Sequence, residues 1–93
     1  MKVTPEIIRH EFIGTQGKIV KSTNLDYVGI SGKIVDETRN TFTVLDGGKR
    51  KVIAKNSTIF HFGFPDSTVV EVDGKLLVGR PEDRLKKTIR RLW

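Results

Sequence analysis

Val28-Gly29-Ile30-Ser31-Gly32-Lys33-Ile34-Val35-Asp36-Glu37, Thr41-Phe42-Thr43-Val44-Leu45 and Lys49-Arg50-Lys51-Val52-Ile53-Ala54 are three β-rich runs in succession, and they decide the fold. Arg39-Asn40 separates the first two and Asp46-Gly47-Gly48 the last two. Both separators are short and rich in turn-forming residues, so the three runs read as two consecutive hairpins. Gly29 and Gly32 sit inside the first run, where glycine marks a bend or bulge of the kind that lets a few strands close on themselves.

The same texture extends in both directions. Lys18-Ile19-Val20-Lys21 is a strand ahead of a polar loop, Ser22 to Asp26. Thr58 to Phe62 is another, with Phe60 and Phe62 alternating onto one face. Val69 to Val72 and Lys75 to Val78 flank Asp73-Gly74, a dipeptide suited to a tight hairpin turn. About six antiparallel strands over residues 17–79 therefore predict an all-β core, a strongly bent small barrel, and not alternating βαβ units. Phe42, Phe60, Phe62 and Phe64 are assigned to its core.

Each end of the chain reads as a short helix. Thr4-Pro5-Glu6 combines a capping hydroxyl, a proline at the first helical position and an acid at the positive helix end, which predicts a helix over 4–13. Ile8 and Phe12, four apart, form its apolar face. Gly79-Arg80-Pro81-Glu82-Asp83 repeats that logic and predicts a basic helix over 81–92, with Leu85, Ile89 and Leu92 as its apolar stripe. The 93 residues then make one domain.

Composition narrows the function. With 37% hydrophobic and 30% charged residues the chain has a small core under a heavily charged surface. It has no cysteine, which removes disulfides, thiolate zinc sites and cysteine nucleophiles. No apolar run is long enough for a membrane helix and the first residues lack a signal peptide's apolar segment, so the expectation is a soluble cytoplasmic protein. The formal net charge is +6, and residues 80–91 hold six cations against two acids, so most of the excess lies in that one segment. Such a surface seeks a polyanion.

Chemistry of other kinds finds little purchase. His10 and His61 are the only histidines and suggest no triad. Asp36 and Glu37 are neighbours in a strand and point to opposite faces, which disfavours a shared metal ion. Neither a catalytic residue, a metal site nor a cofactor is expected. Lys49, Arg50 and Lys51 follow a Gly-Gly turn and should crown a hairpin within reach of phosphates; Arg39 and Asn40 top the preceding one. A charge triplet at a sheet edge also blocks edge-to-edge aggregation, the alternative use of the same residues.

Four stretches together resemble the archaeal ribonuclease P component 1 family, whose eukaryotic relatives are subunits of nuclear ribonuclease P and the related mitochondrial-RNA-processing enzyme. They are His10-Glu11-Phe12-Ile13-Gly14, the long run from Val28 through Glu37-Thr38-Arg39-Asn40-Thr41, Lys55, and Gly79-Arg80-Pro81-Glu82-Asp83-Arg84. The resemblance spans nearly the whole chain. It implies an Sm-like barrel with terminal helices and no active-site residue of its own, since the enzyme's RNA cuts precursor tRNA. It implies as partners the ribonuclease P RNA, whose specificity region the protein supports, the zinc-ribbon protein subunit, and other holoenzyme proteins.

The expected RNA contacts are thus Arg39, Asn40, Lys49, Arg50, Lys51, Lys55, Arg80, Arg84, Lys86, Lys87, Arg90 and Arg91. The expected protein contacts are Ile8, Phe12, Leu85, Ile89 and Leu92. Isolated, the protein is expected to be a monomer. A homo-oligomeric Sm-like RNA chaperone and a ribosome-associated basic β-barrel protein are the rival readings.

Overall fold

A computed structural model describes residues 11–79. Within them six strands form one antiparallel sheet: β1 (Gln16–Ser22), β2 (Ser31–Glu37), β3 (Thr41–Asp46), β4 (Lys49–Ala54), β5 (Thr58–Gly63) and β6 (Val69–Asp73). Their order across the sheet is β4-β3-β2-β1-β5-β6. The two expected hairpins, β2–β3 and β3–β4, are present. At Gly47 and Gly48 the backbone takes φ values of 57° and 82°, the left-handed pair that a two-residue hairpin turn needs.

No ladder joins β4 to β6 among the described residues, so the expected closed barrel is an open sheet there. The sheet still wraps a single core. Ile19, Ile34, Phe42, Val44, Ile53, Phe60, Phe62, Val70 and Val72, drawn from all six strands, belong to one buried cluster with Phe12, Ile30 and Leu77. Register shifts between Ile19 and Lys21 and between Ile34 and Asp36 bend β1 and β2 as β-bulges do. The phenylalanines alternate inward as the sequence suggests: Phe60 stacks on Phe62 at 5.4 Å, and Phe42 meets both edge-on.

Three local expectations change. The strand expected from Val28 begins at Ser31, because a 3-10 turn at Leu25–Tyr27, capped by the Asn24 side chain, occupies the approach. The second is Gly32, read as a bend. Its requirement is space: a Cβ there would lie 1.9 Å from the Leu45 carbonyl oxygen. The third is the hairpin expected at Asp73-Gly74. Gly74–Leu77 is a 3-10 turn, with the Asp73 carboxylate accepting from the Lys75 amide at 3.0 Å. Gly74 is packed so closely on the Lys55 and Thr58 carbonyls that no side chain fits. Leu77 then turns into the core instead of continuing a strand.

The expected N-terminal helix does not reach its end. Glu11 and Phe12 are in no helix and Ile13-Gly14 is a turn, while 4–10 lie outside the described residues. Phe12 is fully buried, its ring 4.1 Å from that of Phe62 and edge-on to Phe42 at 6.0 Å. It is a core residue and not the partner contact expected of it, because its ring packs among the inward phenylalanines of β3 and β5. Ile8 and the whole of 81–92, with Leu85, Ile89 and Leu92, also lie outside the described residues.

Candidate nucleic-acid interface

The outer face of the sheet carries a stripe of cations that strand register assembles. Gly63, Gln16, Lys33, Leu45 and Arg50 are successive cross-strand partners running from β5 to β4. Glu71, His61, Lys18 and Ser31 form the adjoining row. Directly paired residues share a face. Lys18, Lys33 and Arg50 therefore point the same way, opposite to Ile19 and Ile34, and all three are exposed.

Strand spacing sets their separation. Lys18 and Lys33 are diagonal neighbours, about 7–8 Å apart at the backbone. Lys33 and Arg50 are two strands apart, roughly 10 Å. Long side chains on that spacing can reach successive phosphates of one strand. Gln16, Ser31 and His61 add hydrogen-bonding groups between the cations. At the margin, the His61 Nε2 lies 2.8 Å from the Glu71 carboxylate, which places the one nearby acid of these two rows at the edge of the stripe.

Of the residues expected from sequence, Lys49 and Arg50 are exposed on β4, an edge strand. Lys51 is half-buried, with its ammonium 3.8 Å from the Asp46 carboxylate. Arg39 and Asn40 are exposed at the β2–β3 turn, the other end of β3 from Lys49. The two expected groups of cations are thus not one patch: β3 is six residues long, and that separates them by roughly 17 Å. Arg80, Arg84, Lys86, Lys87, Arg90 and Arg91 lie outside the described residues.

Lys55 is a correction. It has no exposed surface and cannot touch a phosphate in this fold. Its ammonium donates to the Glu37 carboxylate at 2.6 Å and to the carbonyls of Thr38 at 2.8 Å, Gly79 at 2.9 Å and Arg39 at 3.3 Å. It also sits 4.7 Å from the centre of the Phe42 ring. Both charged side chains of the pair are fully buried. Such an ion is tolerated only where a counter-charge and oriented carbonyls replace its water.

Sequence reading passed over Lys18 and Lys33. Each is visible in its strand, next to inward Ile19 and Ile34, but their meeting depends on how β1 pairs with β2. Alternation gives the face and register gives the neighbours; only the first is readable from one sequence. Among the described residues, no three His, Asp or Glu side chains converge where a metal ion could be held.

Comparison with known proteins places this geometry in a family. The family described as "Ribonuclease P/MRP, subunit p29" matches residues 5–87. Ribonuclease P protein component 1 of Methanothermobacter thermautotrophicus is 46% identical over 91 residues, covering 96% of this chain and 98% of that protein. The protein of the same name from Thermofilum pendens is 46% identical with all of both chains covered, and that of Methanocaldococcus jannaschii 47% identical over 98% of this chain and 97% of its own. A solved structure of Mth11, described as a homologue of human RNase P protein Rpp29, superposes with a TM-score of 0.61 at 45% identity, covering 81% of this chain and 97% of that one. A bent six-stranded sheet with a cationic outer face and nearly full-length identity to these relatives means that the chain belongs to the ribonuclease P/MRP subunit p29 family, among the archaeal ribonuclease P protein components 1.

Proposed function

We propose that this chain is a non-catalytic, RNA-binding subunit of ribonuclease P that supports the specificity region of the catalytic RNA during maturation of tRNA 5′ ends. The observation that carries the reading is the stripe of Lys18, Lys33 and Arg50 on the solvent face, in a chain of this family. A rigid sheet presents these cations at fixed spacing, so they neutralise phosphates without first being ordered. Lys49 and Arg39 extend the basic surface toward opposite ends of β3, and Arg80, Arg84, Lys86, Lys87, Arg90 and Arg91 contribute the further charge of the C-terminal segment.

The curled sheet about one core supports the Sm-like architecture that the family resemblance implies, with a basic helix over 81–92 as its flank. Ile8, Leu85, Ile89 and Leu92 are the residues proposed to meet the zinc-ribbon subunit. The isolated protein is proposed to be a cytoplasmic monomer without a cofactor. The ring-forming reading requires strand edges to pair between copies, and β4 opposes that with Lys49, Arg50 and Lys51 along its edge.

The test is RNA binding against salt concentration. Replacing Lys18, Lys33 and Arg50 together by alanine should weaken binding to a ribonuclease P RNA transcript and lower the slope of log K against log salt by about 1 per lost phosphate contact. An unchanged affinity and slope, with an unchanged circular dichroism spectrum, would remove the outer face from the RNA interface.

A further inference from the structure

Lys55 binds two distant stretches of chain at once. Its side chain holds the carbonyls of Thr38 and Arg39 in the β2–β3 turn and that of Gly79 beyond the last 3-10 turn, with Glu37 as counter-ion. Backbone bonds close the same knot. The Gly79 amide donates to the Arg39 carbonyl at 2.7 Å, and the Lys55 amide donates to that of Asn40 at 2.9 Å. The knot therefore fixes the main chain of Arg39 and Asn40, whose side chains remain exposed, against Gly79, the residue from which Arg80 and the basic segment continue.

We propose that the buried Lys55–Glu37 pair is a positioning element for the RNA interface, holding the Arg39–Asn40 turn against Gly79 as one preorganised surface. The proposal rests on the RNA-binding reading given above. Lys55 acts without touching RNA: its ammonium converts two carbonyls of the β2–β3 turn and that of Gly79 into ligands of one buried cation. Filling the core alone does not call for a lysine, since an apolar side chain fills space without desolvating a charge. A cation that must reach an RNA phosphate does gain from a fixed backbone, because the ordering cost is met on folding and not on binding.

The test separates positioning from stability by removing the whole pair. Replacing both members with apolar side chains, Glu37→Leu with Lys55→Met, removes both charges of the pair together, a change that folded cores often accept. The probe is a ribonuclease P RNA transcript, and the comparison variants are Arg39→Ala and the triple combination. The paired variant should melt cooperatively and bind roughly tenfold more weakly, the value of one charge-assisted contact. Its salt slope should fall by about 1, as in Arg39→Ala, and the triple variant should bind no worse than Arg39→Ala. Wild-type affinity and slope in the folded pair variant, or losses that simply add to those of Arg39→Ala, would overturn the proposal.

Should the pair variant not fold, Glu37→Gln serves in its place. Faster exchange of the Gly79 amide together with weaker binding is then expected, and faster exchange with wild-type binding would refute the positioning role. Failure of the wild-type chain to bind the transcript at all would instead sink the RNA-binding reading, and this proposal with it.

Discussion

The two ends of β3 carry the same kind of charge on very different supports. At the β2–β3 end, Arg39 stands on a backbone held by the Lys55 ammonium and the Gly79 amide. At the β3–β4 end, Lys49 directly follows a turn whose two glycines have no heavy atom within 4 Å of where a Cβ would stand. One end is tied through the interior to a distant part of the chain, and the other is a free hairpin. Basic residues equivalent by composition thus differ in what they can do. A pinned cation contributes geometry, whereas a free one contributes mainly field, and fields are what salt screens.

The most damaging way to break this contrast is to remove Lys55 alone. Lys55→Met takes the ammonium away from the buried Glu37 carboxylate and from the three carbonyls it serves, so stability to chemical denaturation should fall by about 3–5 kcal/mol. A loss below about 1 kcal/mol would mean that the knot is as loose as the opposite turn.

Phe12→Ala follows, since Phe12 packs on Phe42, the ring beneath Lys55, and on Phe62. A cost of about 3–5 kcal/mol is expected in the isolated chain. Wild-type melting would return Phe12 to a partner surface.

The free end has one position that should not tolerate change. Gly32→Ala forces a methyl onto the Leu45 carbonyl and should cost about 1–3 kcal/mol, read from the denaturation midpoint. A neutral result would show that β2 and β3 can separate there.

Smallest in stability should be Lys49→Ala with Arg50→Ala: within about 0.5 kcal/mol of wild type, as for exposed residues generally. Its effect belongs in the salt dependence of RNA binding, and a large loss of stability without one would assign these residues to the sheet edge.

Much of this was legible in the sequence, for reasons that name its limits. Alternation of Phe60 and Phe62, the Asp46-Gly47-Gly48 turn and the three opening runs are local signals, and each found its strand or turn. What failed was tertiary. Asp73-Gly74 has hairpin chemistry, but the close approach of Gly74 to the Lys55 and Thr58 carbonyls makes it a 3-10 turn. Phe12 sits four residues from Ile8, which reads as a helix face; the stacking on Phe62 that places it in the core crosses fifty positions of sequence. Lys55 looked like one more surface cation in a basic chain, because the burial of a lysine depends on a carboxylate that only the fold brings near. The stripe of Lys18, Lys33 and Arg50 likewise exists only once register is known.

The strand order also dictates how the chain must assemble. β1 to β4 is a meander of sequence neighbours, and β5–β6 is a hairpin, but the ladder between β1 and β5 joins residues as distant as Gln16 and Gly63 and ends at Ser22 and Thr58, whose hydroxyls meet at 3.3 Å. Long loops must close before such contacts reward them. The β1–β5 seam is therefore predicted to form last, after the transition state for folding, so that Ser22→Ala accelerates unfolding and leaves folding unchanged. A slowed folding arm in that variant would reverse the order. Until the seam closes, β5 is paired with β6 alone and the aromatic core has one open side, so the newly made chain's moment of greatest exposure to aggregation is written into the position of β1.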